Sequence, residues 1–125
     1  MQISLDSGKG HIISAYSTSS IQVNDSLLEH SFLITPTNLH ENWPVTDISS
    51  LCFNDLQIGE DKLEGLAIEL VLIGYTRLHN LPDYGLIAKL GELGIGFEFM
   101  EMGAACRTYS ILNSEDRTFL AGFIL

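Results

Sequence analysis

The sequence predicts an α/β fold in three layers, with a central mixed β-sheet, an N-terminal antiparallel meander and a C-terminal βαβαβ segment. Three observations predict it. The first third is rich in β-branched and aromatic residues separated by polar turn residues, the pattern of short strands. From Asp47 the apolar spacing lengthens to a helical repeat. A nearly continuous apolar run from Ala67 to Gly74 is then followed by a helical stripe and a second strand-like run. With 125 residues, 46% of them hydrophobic, the chain can fill one core and not two, so residues 1–125 are expected to form a single domain.

The elements follow in order. His11 to Tyr16, Ser20 to Val23 and Leu28 to Thr35 read as the strands of the meander. Ile48, Leu51, Cys52 and Leu56 share one helical face, which predicts a first helix ending near Gly59. Ala67 to Gly74 reads as a central strand buried on both faces. Pro82-Asp83 starts a helix whose apolar face is Leu86, Ile87, Leu90 and Leu93, and Gly94 stands where a C-terminal cap belongs. A strand at Gly96 to Glu101, a helix over 103–113 and a strand at Thr118 to Ile124 complete the chain. The crossover through the second helix requires the strands on either side of it to run parallel.

Charge and composition exclude several functions. Sixteen acidic residues against six Lys and Arg give a formal net charge of −10, which repels a phosphate backbone. The basic residues are scattered, so no polybasic patch is available for an anionic lipid surface. Nucleic acid is therefore not an expected partner, and membrane contact would need a protein intermediary. No apolar run approaches the roughly 20 residues that span a bilayer. Met1 to Asp6 carries neither a positive leader nor an apolar stretch, so a cytoplasmic location is expected. Cys52 and Cys106, in segments that read as separate helices, suit free thiols in a reducing compartment.

Candidate chemistry concentrates at one sheet edge. Parallel strands place their following loops together, and open α/β sheets bind ligands there. The loops are Gly74-Tyr75-Thr76 and Met102-Gly103-Ala104. The second opens a helix, whose free N–H groups and Arg107 would attract a small anion. The candidate cleft is thus Gly74, Tyr75, Thr76, Gly103, Ala104, Cys106 and Arg107. Cys106, in a helix's first turn beside Arg107, has the setting of a thiol with lowered pKa. Its neighbours Ala104 and Ala105 equally suit a buried structural thiol. Arg107 is also placed to pair with Glu101 or Glu115 on the surface. Tyr109 shares a helical face with Ala105, Thr108 and Leu112 and reads as a packed aromatic with its hydroxyl bonded at the rim.

Other motifs carry no reaction. The glycines of Gly91 to Gly96 close a helix and open a strand, the reverse of a dinucleotide fingerprint. Gly8-Lys9-Gly10 lacks the remaining residues of a phosphate loop and suits a hairpin turn. His11, His30, His40 and His79 are far apart, and no metal-ligand cluster or nucleophile elbow occurs. No catalytic residue, metal or cofactor is expected.

The run Gly94-Ile95-Gly96-Phe97-Glu98-Phe99-Met100-Glu101-Met102-Gly103-Ala104-Ala105-Cys106-Arg107-Thr108-Tyr109 resembles the signature of the family of mitochondrial respiratory complex I assembly factor 3. Trp43-Pro44-Val45, Leu72-Ile73-Gly74, Leu81-Pro82, and Glu115 with Arg117 extend the resemblance over most of the chain from Trp43 onward. It departs from the family pattern at Gly74-Tyr75-Thr76, Glu101-Met102 and Ser110, all around the candidate cleft. The resemblance implies the three-layer fold and a non-enzymatic role in assembly, with protein partners such as a membrane respiratory complex or its assembly proteins. It also implies a peripheral position at the inner membrane through such a partner. An alternative is a small-anion-binding or thiol-dependent protein using Gly103, Cys106 and Arg107. An assembly factor needs exposed apolar surface, for which Phe97, Phe99, Phe119 and Phe123 are the candidates. A homodimer through the meander's edge strand is a further expectation.

Overall fold

The computed structural model describes residues 10–58 and 67–125. The expected helix end at Gly59 and most of the Gly8-Lys9-Gly10 turn lie outside the described residues. A small antiparallel sheet is formed by β1 (Ile13–Tyr16), β2 (Ile21–Val23) and β3 (Ser26–Leu28). Its second hairpin turns on Asn24, which adopts φ 52° and accepts the Ile12 N–H at 2.7 Å through its side-chain oxygen. That bond ties the hairpin back to β1.

The expected strand from Leu28 to Thr35 is two strands in different sheets, a correction to the single meander. β3 ends at Leu28, and β4 (Phe32–Ile34) begins a five-stranded sheet with the short β5 (Leu39–His40). The break has a polar cause: the Ser31 hydroxyl accepts the Leu125 N–H at 3.0 Å and the Ser31 carbonyl accepts the Trp43 N–H at 3.2 Å.

The helix expected from Ile48 to Leu56 is also corrected, to two 3-10 turns at Ile48–Ser50 and Phe53–Leu56. Cys52 lies between them in extended backbone, exposed rather than helical. Two acidic side chains compete with a continuous helix here. Asp47 accepts from the Ser49 N–H at 2.9 Å, and Asp55 accepts from the Cys52 N–H at 2.9 Å, so each turn is capped separately.

The C-terminal half follows the predicted order: β6 (Leu70–Tyr75), α1 (Tyr84–Glu92), β7 (Gly96–Glu101), α2 (Met102–Ser114) and β8 (Phe119–Ile124). Asp83 caps α1 by accepting the Leu86 N–H at 3.2 Å. Gly94, at φ +74°, closes it, with the Ile95 N–H bonded to the Leu90 carbonyl at 2.9 Å. The sheet order is β5-β4-β8-β6-β7, with β6 parallel to both β7 and β8 and β4 antiparallel to β8. The sheet is mixed and central, as the fold class requires.

Two apolar clusters lie on its faces. On one, Phe32, Leu72, Phe119 and Phe123 pack against Ala105, Cys106 and Tyr109 of α2 and against the small sheet. Each buried phenylalanine contributes about 1.5–3 kcal/mol. On the other, Leu33, Val71, Ile73 and Leu120 pack against Leu86 and Leu90 of α1, Trp43 and the 3-10 turns. The Trp43 indole N–H donates to the Asp55 carbonyl at 2.9 Å, fixing the ring beneath the turns.

Candidate functional site

The parallel strands bring their C-terminal ends to one edge, where Tyr75 stands in register with Glu101 on one side and Ile124 on the other. The two candidate loops do share an edge, but Gly74 and Tyr75 still belong to β6. Gly74 faces α2: a Cβ there would lie 2.6 Å from the Ala105 Cβ and 2.9 Å from a Phe123 ring carbon. Glycine at this position lets the helix approach the sheet. Tyr75 points to the opposite face, its ring centroid 6.3 Å from that of Phe99. Thr76 alone of the three lines the hollow at the edge, with Tyr16, Thr18, Glu101 and Met102.

The N-terminus of α2 is occupied by the chain itself. Glu101 is extended, at φ −61° and ψ 150°, and its carboxylate accepts the N–H groups of Gly103 at 3.0 Å and Ala104 at 3.3 Å. These bonds hold the carboxyl below its usual pKa, with a smaller contribution from the Arg107 guanidinium. The expectation of free donors at this helix end is therefore corrected: a side-chain anion already fills the place.

Arg107 is exposed and donates to the Tyr16 hydroxyl at 2.8 Å. Among the described residues no ion pair joins it to Glu101 or Glu115; Arg117 instead pairs with Glu69 at 2.9 Å. Tyr16 is the residue that sequence reasoning missed. It comes from β1, 91 positions from Arg107, and no local spacing connects the two. Between β1 and α2 lies an open groove of about 560 Å³, lined by Ser14, Tyr16, Cys106, Arg107 and Ser110 among others.

Cys106 is 3% exposed at the base of this groove. Burial first, and then the Glu101 carboxylate, push its thiol up to about 12, and Arg107 opposes them only in part. That environment favours the protonated thiol, against the setting of an activated thiolate. Tyr109 behaves as expected: it is fully buried, stacks edge-on against Phe119 and donates to the His11 carbonyl at 2.6 Å. Burial raises its pKa as well.

The stretch from the β6–α1 loop to the end of α1 presents a different surface. Leu78, Leu81, Tyr84, Ile87 and Leu93 are all exposed, Leu81 to 70% and Tyr84 to 81%. Phe97 and Phe99 are half-buried. Phe119 and Phe123, expected as exposed apolar residues, are instead buried, because β8 is an interior strand between β4 and β6. Among the described residues no group of three or more His, Cys, Asp or Glu is placed to hold a metal ion. No helix among them is long and apolar enough to cross a membrane.

Residues 13–124 match the model of a family described as a protein of unknown function, DUF498/DUF598. The chain belongs to the DUF498/DUF598 family. No functionally curated protein matches it. Solved structures similar to this family member include an NMR structure from Xanthomonas campestris, 29% identical, covering 94% of this chain and 86% of that one with a TM-score of 0.77. A crystal structure from Bordetella parapertussis is 28% identical, covers 93% of this chain and 96% of that one, and gives a TM-score of 0.78. A solution structure from Bordetella pertussis, described as a Mth938-like domain, is 22% identical over 99% of this chain and 89% of that one. Its TM-score of 0.73 shows a shared fold. The Glu101 cap, Arg107–Tyr16 bond and buried Cys106 thus lie within the stretch that the family model covers.

Proposed function

We propose that this member of the DUF498/DUF598 family is a non-enzymatic interaction protein with an assembly-factor role, as its resemblance to the family of mitochondrial respiratory complex I assembly factor 3 implies. The observation that carries this reading is the unburied apolar surface from Leu78 to Leu93, with Leu81 and Tyr84 the most exposed. Five of the nine exposed large apolar side chains among the described residues fall in this one stretch, and exposed apolar surface of that kind is what a protein partner covers. The chemistry at the other side gives further support, because the Cys106 thiol is held protonated and the α2 N-terminus is satisfied by Glu101. Any position at a membrane comes through the protein partner.

The test is mass spectrometry of what co-purifies with the tagged chain at native expression, from soluble and gently solubilised membrane fractions. Recovery of respiratory-chain subunits or their assembly proteins is the expected result. Recovery of the chain alone from both fractions would overturn the reading.

One observation favours a second reading. The open groove lined by Cys106 and Arg107 has the size and exposure to admit a small anion, and Thr76 lines a neighbouring hollow that shares Tyr16 with it, while Gly103, Ala104, Gly74 and Tyr75 line neither. In that reading the Glu101 carboxylate leaves the helix N-terminus to make room. Titration calorimetry with inorganic phosphate, on the native chain and on Arg107→Ala, separates the two: heat that depends on Arg107 supports the anion, and its absence removes it.

A further inference from the structure

β7 is the last strand of the five-stranded sheet on the α1 side, and no described residue pairs with its outer edge. In a parallel ladder the backbone groups of alternate residues point to the same neighbour. Gly96 pairs with Leu70 and donates its N–H to the Glu69 carbonyl at 2.9 Å, so Gly96, Glu98 and Met100 direct their backbone groups to β6. Those of Phe97 and Phe99 consequently project from the open edge. The register with β6 is unbroken from Gly96 to Glu101, without the bulge or proline by which edges are commonly blunted.

The side chains beside this edge differ on its two faces. On the α1 face the rings of Phe97 and Phe99 are half-buried, 6.0 Å apart, and continue to Tyr75 as an aromatic row. On the other face Glu98 is exposed, with no hydrogen bond or ion pair to any described residue. Resting on the interaction reading above, we propose that the open edge of β7 takes an extended segment of a partner protein as an added strand, one whose side chains alternate apolar and basic. Its apolar residues cover Phe97 and Phe99, and a Lys or Arg stands opposite Glu98. A second copy of this chain fits less well. Each copy carries a net charge of −10, and the antiparallel register that sets Phe97 against Phe99 also sets Glu98 against Glu98.

Amide exchange followed by NMR on the isotope-labelled full chain tests this, with a capped peptide of alternating Lys and Val as the probe. Peptide binding is expected to slow exchange at Phe97 and Phe99 by about tenfold or more and to leave Gly96, Glu98 and Met100 nearly unchanged. Glu98→Lys, an exposed change compatible with the fold, is expected to weaken that peptide by roughly three- to tenfold and to favour a Glu-Val peptide instead. Unchanged exchange at saturating peptide, or protection confined to α1, would overturn the proposal. So would protection of Phe97 and Phe99 that rises with protein concentration in the absence of peptide, which gives the edge to a second copy. Cellular partners captured equally by the native chain and by Glu98→Lys overturn the edge assignment alone; a native chain that captures no partner overturns the interaction reading itself.

Discussion

α2 buries seven of its thirteen residues, whereas α1 buries two of its nine, although both follow a strand of the same sheet. The difference lies in what covers them. α2 is held between the large sheet and the small one, with Tyr109 and Arg107 bonded to β1 and its flank. α1 rests on the sheet through Leu86 and Leu90 and leaves Tyr84 and Ile87 to solvent. The region with the reactive residue types is the more tightly packed, and the plainer helix leaves more of its length to solvent.

The largest expected effect is at Tyr109. Tyr109→Ala removes a buried ring and its bond to the His11 carbonyl, at a cost of about 3–5 kcal/mol in denaturant unfolding. Tyr84→Ala on α1 is expected to stay within about 0.5 kcal/mol of the native chain. Equal costs at the two positions would remove the distinction between the helices. Next comes Gly74→Ala, where the new methyl meets Ala105 and Phe123 and is expected to destabilise by about 1–3 kcal/mol.

Acid sharpens the comparison at the α2 N-terminus. Glu101 has a folded pKa below its unfolded one, so its contribution is present above the unfolded value and is lost as pH falls through the folded value. The melting-temperature advantage of the native chain over Glu101→Gln should therefore shrink from neutral pH to below about pH 4. An advantage that is constant with pH would contradict the cap. A smaller effect concerns the thiols. Cys52 is exposed and Cys106 buried with its pKa pushed up to about 12, so iodoacetamide at neutral pH should label Cys52 and spare Cys106. Rapid labelling of Cys106 would restore the activated thiolate.

Much of this comparison was legible in the sequence where signals were local. The βαβαβ order, the Asp83 and Gly94 ends of α1 and the packed character of Tyr109 follow from spacing and capping, which act within a few residues. The errors arise where distant segments decide. Ile48 to Leu56 has a helical stripe, but Asp47 and Asp55 cap two short turns, and Trp43 anchors one of them from outside. Phe119 and Phe123 looked available until β4 paired with β8 and made it an interior strand. At the candidate site, Gly103 and Arg107 were visible as residue types. Their partners were not, because Tyr16 arrives from β1, and Glu101 closes the helix end only when its backbone is extended.

The most direct test of the central claim compares partner capture by three tagged forms of the full chain: native, Arg107→Ala, and Leu81→Asp with Tyr84→Asp. The exposed double change should leave the melting curve close to native and abolish most partner recovery, and Arg107→Ala should capture as the native chain does. Retained capture by the double variant, with loss in Arg107→Ala, would place the working surface at α2 and contradict this account.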